Sequence, residues 1–350
     1  MGADTGTGYA GAALCRSDPP PQGGSGDPSG LEPGRAAVGI AGVRIHRVGL
    51  CGTDYHIFAG RHPFLSYPRV IGHELAGEVV DAPVGSQLRE GQLVAINPYL
   101  SCGSCIACRK GRPNACVHVQ VLGVHSDGGM CELLSVPERA VIDATGLTPD
   151  QAAMLEFLAV GAHAVARGAV AAGDRVLVVG AGPIGVATAL FAKLNGAFVT
   201  LVDRRHARLE YAQKHLGLDD VLSAGDGLAD SLSTRTDGEM FDIVFDATGS
   251  IESMGESLAY LATAGVLVFV GVAPGEITFS DPEFHKREAT LLASRNALAA
   301  DFERVVSAMK AGLIPTSSLQ THSFAAEETP QRLPELIGDA DNVLKAIAYF

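Results

Sequence analysis

Residues 175–203, RVLVVGAGPIGVATALFAKLNGAFVTLVD, decide the fold. RVLVV is a continuous apolar run that predicts a buried strand, GPIGVATALFAKLNG has helical spacing and ends at a glycine, and FVTLVD predicts a second buried strand. Between the first strand and the helix, Gly180, Gly182 and Gly185 form G-x-G-x-x-G. The first glycine allows a tight turn, the second lets the backbone approach a pyrophosphate at the helix N-terminus, and the third lets helix pack on strand. Gly180, Gly182, Pro183, Ile184 and Gly185 are therefore candidate contacts to a dinucleotide. Asp203 closes the second strand, where a carboxylate binds ribose hydroxyls and repels a 2′-phosphate, so it favours NAD over NADP. Arg204, Arg205 and Arg208 follow at once. They either form a solvated helix face or accept that phosphate, which makes Arg204 and Arg208 candidate cofactor contacts.

The same grammar continues outward. RHARLEYAQKHLG predicts a helix, and FDIVFDATG and GVLVFVGVA predict further strands, with Thr248, Gly271 and Val272 at their ends as candidate cofactor contacts. Strand and helix in alternation predict an α/β domain with a doubly wound parallel sheet over residues 161–291. Residues 35–143 read differently, as short β-like runs (AVGIAGVRIHRV, AGEVVDAPV, QLVAINPYL) separated by Gly, Pro and Asn turns, which predicts a compact, mostly β domain. Thr148-Pro149-Asp150 opens an Ala-rich helical segment, DQAAMLEFLAVGAHAVARGA. The C-terminal run VLKAIAYF is strand-like and can return to the first domain, giving a division into 1–160 with 292–350, and 161–291. Residues 1–34 are rich in Gly, Pro, Ser and Asp and read as irregular.

Composition bounds the function. A chain of 350 residues suits about two domains. Its 26 basic and 39 acidic side chains leave a net charge of −13, which argues against nucleic acid and anionic membranes as partners. The opening residues lack a basic start and a sustained apolar core, so a cytoplasmic, reducing setting is expected. There, four of the seven cysteines, Cys102, Cys105, Cys108 and Cys116, are spaced to close a tetrahedron around Zn²⁺ with no open position. Cys15 and Cys131 have no evident role. A scattered set comprises Cys51, Thr53, Asp54, Tyr55 and His56, then His73 and Glu74, then Glu156. Singly these read as a core cysteine, a satisfied histidine, a capping aspartate and a surface glutamate. Together they offer the sulfur, imidazole and carboxylate set of a catalytic zinc with an exchangeable position.

From about Arg35 to the C-terminus the chain resembles the zinc-dependent medium-chain alcohol dehydrogenase family. The motifs that carry the likeness are CGTDYH, GHE with the tail LAGEVV, the four-cysteine loop, LEFLAVGAHAV and VVGAGPIG. The resemblance implies a GroES-like β-barrel catalytic domain interrupted by a Rossmann domain, two zinc ions per chain, and a homodimer or homotetramer. It implies that Cys51 and His73 bind catalytic zinc, that Glu156 supplies or neighbours the third ligand, that Glu74 binds the metal transiently or sits in a buried ion pair, and that Asp54 orients the site. Thr53 matches the hydroxyl that accepts the alcohol proton, and His56 the histidine that passes it through the cofactor ribose to solvent. YPRVIGHE, GVHSDGG and the segment around Arg295 look most like the branch that oxidises polyols, sugars and sugar acids, including sorbitol and galactonate-type dehydrogenases. Arg295 then touches cofactor phosphate or a substrate carboxylate, or forms a structural salt bridge, and Tyr55 lines the pocket or packs. The expected activity is oxidation of a secondary alcohol of that class by NAD. The alternatives are a threonine-type or small-alcohol dehydrogenase, and a non-catalytic zinc- and nucleotide-binding protein on the same scaffold. Two departures stand out: Phe157 occupies a position commonly held by proline, and residues 1–34 lack the family's usual opening strands.

Overall fold

The computed structural model describes residues 39–60 and 65–350. The irregular reading of residues 1–34, and Cys15 with it, lies outside the described residues. The chain divides into two compact units, one reaching Glu156 and resuming at Gln320–Phe350, the other Phe157–Leu319.

The first unit is organised on β1 (Ile40–Leu50), where alternate residues Ala41, Val43 and Ile45 are buried. An alternating strand of this kind buries one face against a core. β1 pairs antiparallel with β2 (Glu74–Asp81) on one edge; on the other, β6 (Leu133–Pro137) covers its first half and β15 (Lys345–Tyr349) its second. β3 (Leu93–Ile96), β7 (Val141–Asp143) and β14 (Gln320–Ala325) complete a seven-stranded sheet, in which the C-terminal strand β15 lies between β14 and β1. A ribbon of β4 (Tyr99–Leu100) and β5 (Gln120–Val121) brackets the cysteine loop. The core gathers Val43, Ile45, Val48, Leu75, Val94, Ile96 and Ala346.

The second unit carries β8 (Arg175–Val179), β9 (Phe198–Asp203), β10 (Asp220–Ser223), β11 (Phe241–Asp246), β12 (Leu261–Phe269) and β13 (Thr290–Ala293). All pair in parallel, in the order β10-β9-β8-β11-β12-β13. Chain order reverses beside β8, the switch point at which doubly wound sheets bind ligands. The boundaries differ from those expected at 160/161 and 291/292. β13 straddles residue 291, and the helix Ala299–Lys310 belongs to this unit, which runs on to Leu319. β13 lies at the edge of the sheet with mostly exposed side chains and joins it by backbone pairing to β12. The Ala-rich segment is likewise two helices, Pro149–Ala153 and Leu155–Arg167, broken at Met154.

Gly180 has φ +106°, a backbone conformation that side chains resist, and it opens the turn after β8. Gly185 is required for space, since a Cβ there would stand 1.7 Å from the Gly180 carbonyl oxygen. Gly185→Ala is therefore expected to destabilise the second unit by about 1–3 kcal/mol through overpacking, read as a lower midpoint in urea.

Candidate active site and metal centres

Cys51 caps the helix Gly52–Phe58, its Sγ accepting the Thr53 N–H at 3.3 Å while its own N–H donates to Asp54 Oδ2 at 3.0 Å. This reciprocal cap fixes Cys51, Thr53 and Asp54 together. Asp54, fully buried, also accepts the Gly72 N–H through Oδ1 at 3.3 Å and so ties the helix to the segment entering His73. Gly72 turns that segment at φ +98°, where a Cβ would approach Val48 Cγ1 to 2.9 Å. The result brings His73 Nε2 to 3.0 Å from Cys51 Sγ, with Nδ1 3.8 Å from Asp54 Oδ1.

His73 is shared by two groupings, Cys51 with Asp54 and Glu74 with Glu156, in each of which the ligand atoms lie within 4.8 Å of one another. Glu156 reaches this place from the first turn of its helix, with phenylalanine rather than proline at position 157. Tyr99 donates its hydroxyl to Glu156 Oε1. Lys345 donates to both oxygens of Glu74 at 2.6 Å, an ion pair with no exposed surface. Tyr99 and Lys345 both lie outside the sequence motifs. The signal for Lys345 was a lone cation within the apolar run VLKAIAYF. Thr53 is half-buried, and His56, one turn along the same helix, is exposed.

The electrostatics suit a cation. Burial pushes the Cys51 thiol above its usual pKa, with the His73 charge the chief opposing influence. Burial and the neighbouring Glu74 charge push Glu156 up to about 7 against the pull of His73, Tyr99 and Lys345. Burial works against ionisation of both the sulfur and the carboxylate, a cost that a bound divalent metal would offset, so the donor set fits one. The fit at the second centre is geometric. A tetrahedron with metal–sulfur bonds of about 2.3 Å has edges of about 3.8 Å. Cys105 Sγ lies 3.5 Å from Cys108 Sγ and 3.7 Å from Cys116 Sγ, which is 3.4 Å from Cys102 Sγ. Amides of Cys102 and His118 donate to Cys116 Sγ at 3.3 Å, and backbone donors at Ser104 and Cys105 lower the Cys102 thiol to about 6. Cys131 stands outside both clusters, its thiol donating to the Leu133 carbonyl.

In the second unit a cavity of about 550 Å³ opens at the switch point. Gly180, Gly182, Asp203, Arg204, Arg208 and Thr248 line it, together with Arg205, Glu252 and Tyr260. Pro183, Ile184 and Gly185 form the first turn of the helix behind. Gly271, Val272 and Arg295 are not among the lining residues; Gly271 instead packs where a Cβ would meet Gly249 N at 2.4 Å, and Val272 is exposed. Asp203 is held by two amides, Ala181 N–H to Oδ2 at 2.6 Å and Arg205 N–H to Oδ1 at 2.7 Å. The three arginines face the cavity with it. Buried Asp246, unmarked from sequence, anchors the opposite wall by accepting from Thr248 N, Thr248 Oγ1, Ser253 Oγ and Ser257 Oγ.

Fold and site together define a dehydrogenase class. The alcohol dehydrogenase GroES-like domain model matches residues 39–146, and the zinc-binding dehydrogenase model matches residues 183–311. The chain is 44% identical over 283 residues to the L-galactonate-5-dehydrogenase of Escherichia coli K12, covering 81% of this chain and 83% of that one. Among solved structures, RspB of E. coli CFT073 with bound NADH superposes with TM-score 0.85 at 29% identity, covering 91% of this chain and 94% of that one. The E. coli K-12 L-idonate 5-dehydrogenase gives 0.80 at 27%, covering 89% and 91%. The chain belongs to the zinc-type medium-chain alcohol dehydrogenase family. Among the described residues no helix is long and apolar enough to cross a membrane.

One pH dependence follows from Glu156. Its folded-state pKa, about 7, lies above the usual carboxylate value, so the folded state binds this proton more tightly than the unfolded state. In zinc-depleted protein this contribution to stability is full below about pH 4.5 and is lost as pH rises towards 7. Glu156→Gln is expected to flatten that fall, measured by urea denaturation at a series of pH values beside the wild type.

Proposed function

We propose that this chain oxidises a secondary hydroxyl of a polyol or sugar acid, with NAD as the hydride acceptor and two zinc ions per chain. The observation that carries this reading is the convergence on His73 of Cys51 and Glu156, directly beside Thr53. Cys51, His73 and Glu156 would hold the catalytic zinc, and the four-cysteine loop a structural one. A zinc ion at the first centre supplies Lewis acidity that makes an alcohol easier to deprotonate, and the nicotinamide supplies the hydride acceptor. Thr53, whose amide is pinned to Cys51 Sγ, accepts the substrate proton through its hydroxyl. His56 relays it to solvent, a task suited to an imidazole, which can take a proton at one ring nitrogen and release one from the other. Asp54 and Tyr99 hold His73 and Glu156 in place, and the Gly180 turn with the cavity wall orients the dinucleotide.

The sugar-acid preference is supported by relatives named as L-galactonate and L-idonate 5-dehydrogenases. NAD preference is supported by the carboxylate of Asp203, fixed by two amides where a ribose 2′-substituent would lie.

Two measurements test this. Aldonic acids, polyols, L-threonine and simple secondary alcohols assayed with NAD should give the highest kcat/KM on an aldonic acid or polyol, in protein holding two zinc ions by metal analysis. Turnover confined to threonine or simple alcohols would overturn the substrate class. Asp203→Ala should lower the NAD-to-NADP ratio of kcat/KM by about 10-fold or more, because the three arginines would then meet a 2′-phosphate without an opposing carboxylate. An unchanged ratio would remove Asp203 from that role.

A further inference from the structure

We propose that Asp246 fixes Thr248 as an acceptor-only group in the wall of the dinucleotide cavity, where it takes a hydrogen bond from a ribose hydroxyl or the adenine amine of NAD. The inference rests on the cofactor reading proposed above. Thr248 lines the cavity and is itself exposed. Asp246 is fully buried, and its Oδ1 accepts both the Thr248 N–H at 2.9 Å and the Thr248 hydroxyl at 2.6 Å. A carboxylate only accepts, so the hydroxyl proton is committed to it. The threonine oxygen has two lone pairs, and one of them takes the Ser250 N–H at 3.1 Å. With both donors of Thr248 spent, its hydroxyl keeps a single lone pair to offer a ligand.

The placement suits a dinucleotide. In the order β9-β8-β11 the strands end at Asp203, at the Gly180 turn and at Asp246, so Asp203 and Thr248 flank that turn from opposite sides. Thr248 Cγ2 stands 3.3 Å from where a Gly180 Cβ would lie, which sets the methyl against the turn that suits a pyrophosphate. An ionised phosphate oxygen has no proton to give and finds only a lone pair on the Thr248 hydroxyl. A ribose hydroxyl or an amine donates to that lone pair. Ser253 and Ser257 donate their hydroxyls to Oδ2 of Asp246 at 2.6 and 3.0 Å, which holds the carboxylate in this orientation.

The chain has no tryptophan, so NADH binding is followed by the emission of the reduced nicotinamide itself. Thr248→Val, which keeps the shape and removes the lone pair, should raise the Kd for NADH about 5-fold, the scale of one net hydrogen bond. Thr248→Ser, which keeps the lone pair, should bind NADH more tightly than Thr248→Val. Asp246→Ala releases the threonine hydroxyl and should weaken NADH as Thr248→Val does. In Asp246→Asn the carbonyl oxygen takes the two Thr248 donors while the amide meets the Ser253 and Ser257 hydroxyls, so NADH should bind more tightly than to Asp246→Ala. The Thr248 variants decide alone if Asp246→Ala does not fold. Reduced nicotinamide hypoxanthine dinucleotide, with a carbonyl oxygen in place of the adenine amine, separates the two donors. An equal Thr248→Val effect on both dinucleotides assigns the bond to a ribose hydroxyl, and an effect on NADH alone assigns it to the amine. A Thr248→Val variant with the wild-type Kd for NADH, or a Thr248→Ser variant as weak as Thr248→Val, overturns the inference alone. A wild-type protein that binds no NADH overturns the cofactor reading and the inference with it.

Discussion

The first unit is organised around a lysine and a glutamate that share no surface with water. Taking two charges out of water costs several kcal/mol per ion, and only near-ideal geometry with every donor used offsets it. Lys345 meets that condition through two contacts of 2.6 Å to Glu74 and one to Leu50. The pair therefore constrains everything it joins: the register of β15 on β1, the register of β2 on β1, and the glycine at position 49 between them. His73 precedes Glu74 and Cys51 follows Leu50, so the same constraint places two metal-ligating side chains.

Around that pair the remaining acidic groups are each supplied with specific donors. Asp54 takes amides from Cys51 and Gly72, and Glu156 takes the Tyr99 hydroxyl. The second unit follows the same rule. Asp203 is held by two amides on one side of the cavity, and Asp246 by four donors on the other. A buried carboxylate without donors is costly, so these networks fix side-chain position as much as charge.

Much of this was legible beforehand because it is local in sequence. The Gly180 turn, the helix behind it and Asp203 lie within one strand–helix–strand unit, and the four cysteines fall within one loop. Each pattern carries its own geometry. The less legible features involve distant partners or weak side-chain signals. Tyr99 and Lys345 are remote from the residues they serve, and β13 is an edge strand held by backbone pairing with mostly exposed side chains. Arg204, Arg205 and Arg208 look like any solvated helix face until the cavity is seen to open on their side.

Sequence alone determined the parallel sheet, the dinucleotide turn and the four-thiol centre, because strand and helix periodicity and short ligand spacings are enforced within a few residues. Tertiary structure decided which of the scattered Cys51, His73, Glu74 and Glu156 converge, and what neutralises them. Apart from the adjacent His73 and Glu74, those groups are separated by about twenty to a hundred residues, and their meeting depends on strand register. Register is set by packing and by one buried ion pair, which no local pattern encodes.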